Sequence, residues 1–236
     1  MKFAYLIEPP FNYKDEHGLI TGCDVELAKT VLKTVGVTDL ELVEAEFAAL
    51  LPGLNNSSWQ MTTGLFATEQ RQHIAAFSRP IWALADGLLV QQGNPKKLTG
   101  YRSIAQLDDA LLAVIKDQFQ HQTAMEFGIP DTRIKLYKTY EAAAKAVLDG
   151  SVDAYASVGR AHSGYLDQHK DLALEVVDVP TLEKPPAFGC FGFHKQDDEL
   201  REAINQALAA YLGSTQHRAI MATFGFSDED VDLVVN

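Results

Sequence analysis

The chain of 236 residues predicts an α/β fold made of two units. Three observations carry this. Short apolar runs alternate with stretches of helical spacing, which is the pattern of parallel sheets with helices on their faces. The alternation runs twice, on either side of an extended apolar run at residues 87–91 that ends at Gly93-Asn94-Pro95. Hydrophobic residues make up 47% of the chain, enough for two modest cores.

The elements follow in order. Residues 3–7 are an apolar run stopped by Pro9-Pro10, hence a strand, and residues 15–18 (DEHG) are a turn. Residues 24–35 place Val25, Leu27, Ala28, Val31, Leu32 and Val35 near helical spacing, and Gly36 ends that helix. Residues 40–43 form a second strand, 47–54 a short helix and 61–65 a third strand. Thr68 is suited to cap the helix that carries Arg71. The pattern then resumes, with helices at 103–108, 118–127 and 140–148 and strands at 111–115, 134–137 and 153–157. Residues 176–186 are polar with three prolines and read as a connection. A strand at 188–193 and helices at 199–212, 215–224 and 227–235 close the chain.

Charge narrows the function. With 32 acidic against 20 basic residues the formal charge is −12, which repels phosphate backbones and anionic lipid and favours a dispersed monomer. No run approaches the roughly 18 apolar residues that span a bilayer. Residues 1–10 (MKFAYLIEPP) have no signal-peptide core or cleavage pattern, which leaves either a chain without its leader or a cytoplasmic one. Cys23 and Cys190 lack any CxxC spacing, so no zinc framework follows, and nothing in the spacing pairs them. Phosphate-loop and dinucleotide motifs are missing, and in residues 155–159 (YASVG) a tyrosine stands where a nucleophile elbow needs glycine. The seven histidines make no HxH or HExxH spacing, so no metal, cofactor or catalytic residue is expected.

Several segments together resemble the extracellular solute-binding proteins of polar amino acid ABC transporters. They are residues 9–13 (PPFNY), 18–29 (GLITGCDVELAK), 51–54 (LPGL), 64–80 (GLFATEQRQHIAAFSRP), 142–154 (AAAKAVLDGSVDA) and 198–208 (DELREAINQAL). Most specific is the Thr-x-x-Arg helix start at Thr68 and Arg71, followed by Phe77-Ser78-x-Pro80. The resemblance implies a two-lobe periplasmic-binding-protein fold of type II. Residues 1–90 and 184–236 would form lobe one and 91–183 lobe two, with two hinge crossings and the ligand in the cleft. It implies an ABC permease as partner and a periplasmic or secreted location.

In that family the arginine at the position of Arg71 pairs with a ligand carboxylate. A guanidinium fork suits this, and a helix N-terminus would add backbone donors. Thr63 and Gly64 match positions that complete the carboxylate site. The departures are informative. Phe66 stands where the family usually has serine or threonine, Glu8 where it is often aromatic, and Val158 where an acid often receives the α-ammonium. Glu8, Phe11, Phe47, Phe66 and Arg71 resemble instead the set found in ectoine- and hydroxyectoine-binding proteins, in which rings and an acid shelter a delocalised cation. From lobe two, Gln118, Gln120 and Phe119 open a helix where donors and a further ring are expected. Trp82 borders the cleft in the family pattern. The expected ligand is a small zwitterion with a carboxylate and a delocalised or alkylated cation. The alternative is an enzyme on the same scaffold resembling cyclohexadienyl dehydratase, with Glu8 as its acid.

Overall fold

A computed structural model describes residues 1–235. The chain divides into two compact units: Met1–Ala83 together with the chain from Ala187 onward, and Leu84–Pro186.

The first unit begins with β1 (Lys2–Tyr5), a small hairpin of β2 (Tyr13–Lys14) and β3 (Ile20–Thr21), and α1 (Cys23–Thr34). Then come β4 (Glu41–Glu44), a 3-10 turn at Phe47–Ala49, α2 (Leu50–Asn55), β5 (Met61–Phe66), the single-turn α3 (Glu69–Gln72), β6 (Ala76–Phe77) and β7 (Trp82–Leu84). β4, β1 and β5 pair in parallel, β1 in the middle. α1 buries Val25, Leu27, Ala28, Val31 and Leu32. Ala4, Leu6, Leu50, Leu54, Trp59 and Leu65 form a core cluster in this unit.

The second unit contains β8 (Asp86–Gln91), α4 (Tyr101–Gln106), β9 (Leu112–Ile115), α5 (Phe119–Glu126), β10 (Ile134–Tyr137), α6 (Tyr140–Leu148), β11 (Ala154–Val158), α7 (Gly159–Gln168) and β12 (Leu174–Asp178). Its sheet runs β10-β9-β11-β8-β12. The first three strands are parallel, and β8 and β12 are antiparallel to their neighbours. The chain returns to the first unit as β13 (Ala187–Phe193), antiparallel to β5, and ends with α8 (Asp198–Tyr211), α9 (Thr215–Thr223) and α10 (Asp228–Val235).

The boundaries differ from residues 90 and 184 for a physical reason. Residues 86–91 are hydrogen-bonded on both sides, to β11 and β12, so they are a sheet strand of the second unit and not a crossing. At the other end, Glu183 accepts the backbone N–H of Arg102 at 3.2 Å and Lys184 reaches Asp86, which ties residues 183–184 to the second unit. Two further elements of the second unit were not expected. α7 carries two glycines, a serine and a histidine, which weaken helix propensity. β12 mixes Glu175 and Asp178 with its apolar residues and lies at the sheet edge, where charges are ordinary.

Candidate ligand site

The first unit assembles most of the expected residues around two buried charges. Glu8 and Phe11 sit on a closed turn. Glu8 and Asn12 exchange backbone hydrogen bonds of 2.8 and 3.1 Å, and the Phe11 N–H donates to the Glu8 carbonyl at 3.0 Å. The first N–H groups of α1 are stapled to this turn, Cys23 to the Pro10 carbonyl at 3.0 Å and Asp24 to the Phe11 carbonyl at 3.2 Å. Gly22 makes that approach feasible. Its φ is 127°, and a Cβ there would lie 2.1 Å from the Phe11 carbonyl oxygen.

Asp24 is 1% exposed, so its carboxylate depends on hydrogen bonds for compensation. Oδ2 accepts the Thr63 hydroxyl at 2.5 Å and the Gly64 N–H at 2.8 Å, and Oδ1 accepts the Trp82 indole N–H at 2.9 Å. Burial pushes the Asp24 carboxyl above the usual range, while these donors pull it back down. The Asn12 amide donates to the Thr63 oxygen at 2.8 Å, so Thr63 relays between the turn and Asp24. Thr63 and Gly64 therefore bind an internal carboxylate through the Thr63 hydroxyl and the Gly64 N–H.

Trp82 gathers the rings. Phe11 lies 5.3 Å from the indole at 40°, and Phe66 lies 5.6 Å away edge-on at 76°. Arg71 follows by a short path. β5 ends at Phe66, and Thr68 caps α3 by accepting the Arg71 N–H at 3.3 Å. The guanidinium folds back so that Nη1 donates to the Phe66 carbonyl at 3.0 Å, with Cζ 5.2 Å from the centre of the Phe47 ring. A single turn of helix has too little aligned dipole to add to an anion grip, so any anion affinity here comes from the side chain and not from the N-terminus of α3.

In the second unit Gln118 is buried at the N-cap of α5, and Phe119 opens that helix. The Phe119 ring carries the Lys184 ammonium 4.7 Å from its centre. Gln120 donates its amide to Asp86 Oδ1 at 2.9 Å, so the donor expected for a ligand carboxylate serves an internal one. Tyr101 donates to Asp86 Oδ2 at 2.6 Å and Lys184 Nζ lies 3.4 Å from the same oxygen. Asp86 is the cross-strand partner of Val158, so an acid stands one strand away from the position where the family pattern has one. Asp86 and Lys184 were missed because neither lies in a recognised segment. Asp24 lay inside residues 18–29, but only the fold brings it to Trp82.

Among the described residues, no cluster of three His, Cys, Asp or Glu side chains is arranged to hold a metal ion. No helix is long and apolar enough to cross a membrane among those same residues.

The two-unit topology and this constellation define a solute-binding protein. The chain belongs to the bacterial extracellular solute-binding proteins, family 3, whose family model matches residues 2–227. It is 26% identical over 96% of its length to the probable amino-acid ABC transporter periplasmic-binding protein y4tE of Sinorhizobium fredii, covering 77% of that protein. It is 30% identical over 84% of its length to the probable amino-acid-binding protein YxeM of Bacillus subtilis, covering 73% of it. Its fold is that of type II periplasmic-binding proteins. The crystal structure of EhuB in complex with hydroxyectoine superposes with a TM-score of 0.89 at 27% identity, over 98% of this chain and 90% of that one.

Proposed function

We propose that this chain captures a small zwitterion, a carboxylate joined to a delocalised or alkylated cation, and delivers it to an ABC permease. Arg71 takes the carboxylate, and Thr63 and Gly64, whose hydroxyl and N–H are spent on Asp24, shape the site through that buried acid. Glu8 and the rings of Phe11, Phe47 and Phe66 take the cation. The observation that carries this reading is Arg71: a residue 9% exposed, its guanidinium laid against one face of Phe47 and tethered to the Phe66 carbonyl. That arrangement fixes the guanidinium in place, and its planar fork is the geometry that matches a carboxylate bidentately. The likeness to EhuB, solved with hydroxyectoine, supports a cyclic amidine zwitterion as first choice, with betaines next. Bulky, weakly hydrated cations suit aromatic faces better than a primary ammonium does.

The same reading makes the chain a monomeric binding protein of the periplasm or cell exterior, without catalytic turnover or nucleic-acid partners. Calorimetry with hydroxyectoine, ectoine, proline betaine, L-glutamine and L-histidine tests it. The first three should bind and the last two should not. Tight binding of glutamine or histidine with ectoines inert would overturn the ligand class. Conversion of added prephenate would overturn the non-catalytic reading.

A further inference from the structure

We infer that Asp24 is a positioning residue for this site, acting through the Trp82 indole to set which cations the rings accept; the cation-selectivity part rests on the ligand reading above. Three independent contacts point to it. First, the indole N–H is spent on Asp24 Oδ1 at 2.9 Å, which fixes the ring's rotation about its own side-chain bonds. Second, the backbone has been cleared on two strands to admit the ring. A Cβ on Gly64 would lie 2.6 Å from the indole and one on Gly189 would lie 2.1 Å from it. Neither glycine has the positive φ that would otherwise explain its choice, so space for the indole is the reason that remains. Third, Phe11 and Phe66 both pack on this indole.

The consequence is coupling. One buried carboxylate holds Thr63 and Gly64 with Oδ2 and the aromatic platform with Oδ1. The polar end and the ring end of the site are thereby set by a single rigid anion, itself anchored because α1 starts on the Phe11 turn. Rigidity of this kind keeps a ring pair at the spacing of one cation and excludes others, since the site cannot repack around a smaller head group.

The test uses the full chain labelled with 5-fluorotryptophan, whose two tryptophans give two fluorine resonances; Trp82→Phe assigns them. Asp24→Asn should move the Trp82 resonance and leave that of Trp59 in place, without any ligand. An unmoved Trp82 resonance overturns the positioning role whatever the ligand is. Calorimetry then reads selectivity with hydroxyectoine and proline betaine as probes. Asp24→Asn and Trp82→Phe should each lower hydroxyectoine affinity at least tenfold more than proline betaine affinity. Equal losses for both probes mean that Asp24 is only structural. Where Asp24→Asn does not fold, Gly189→Ala displaces the indole without removing a hydrogen-bonding group and should produce the same selective loss. A wild-type protein that binds histidine but not hydroxyectoine overturns the ligand class and leaves the fluorine result to decide the positioning role.

Discussion

Lys184 Nζ stands 3.4 Å from Asp86 Oδ2, with both side chains almost fully buried. The pair joins the first strand of the second unit to its last residues. Lys184→Met removes the cation and leaves a buried carboxylate with Tyr101 and Gln120 as its neutral donors. Breaking a buried pair from one side costs about 3–5 kcal/mol. A drop in the thermal midpoint of about 2–4 °C per kcal/mol is expected for a chain of this size. Asp86→Asn combined with Lys184→Met should recover much of that loss, which differential scanning calorimetry would show.

Arg71→Ala is expected to cost about 2–5 kcal/mol of ligand affinity, as a desolvated charge contact does. Arg71→Lys should recover little, because an ammonium cannot span a carboxylate bidentately. Titration calorimetry on all three proteins measures both effects. An affinity within threefold of wild type for the alanine variant would remove Arg71 from the site.

Acid should weaken the second unit through His162. This imidazole is fully buried; its Nε2–H donates to the Gly87 carbonyl at 3.2 Å, and Nδ1 lies 2.5 Å from the Tyr140 hydroxyl. Burial lowers it from 6.5 to about 3. Between those values the unfolded chain binds a proton that the folded one does not. The stabilisation is therefore complete above pH 6.5 and falls by roughly 1.4 kcal/mol per pH unit as pH drops toward 3. His217, lowered to about 4 by burial and then by Arg218, adds to the slope from the first unit. Urea unfolding at pH 7, 6 and 5 should show the fall, and His162→Gln should be less stable at pH 7 yet flatter across that range.

Gly22→Ala attacks the turn that presents Phe11. The substitution forces an L residue to φ 127° and drives a methyl against the Phe11 carbonyl. A backbone held in such a region costs on the order of 1–3 kcal/mol, and the clash adds to it. Both the unfolding midpoint and the affinity for hydroxyectoine should fall, whereas Gly36→Ala, which meets no neighbouring atom, should affect stability alone.

Much of this architecture can be read from local pattern. β10 and α6 fall where periodicity puts them, since a short apolar strand and an alanine-rich stripe leave little ambiguity. Thr68 caps α3 as its residue type suggests. The readings that failed share a cause: they depend on partners distant in sequence. β8 looks like a free extended crossing until β11 and β12 flank it. Gln120 looks like a ligand donor until Asp86 accepts its amide. Spacing along a chain reports which face a residue occupies, but not what waits on the other side.

The late return of β13 to the first unit has a bearing on biosynthesis. The second unit is contiguous, so all of its strands are available once Pro186 has left the ribosome. The first unit must wait for β13, which pairs with β5 along residues 189–193 and brings Phe191 and Phe193 into its interior. Until then β5 has an open edge, the kind of surface that invites misassembly in nascent chains. The order of maturation is thus inverted relative to the order of translation: the half begun first is finished last.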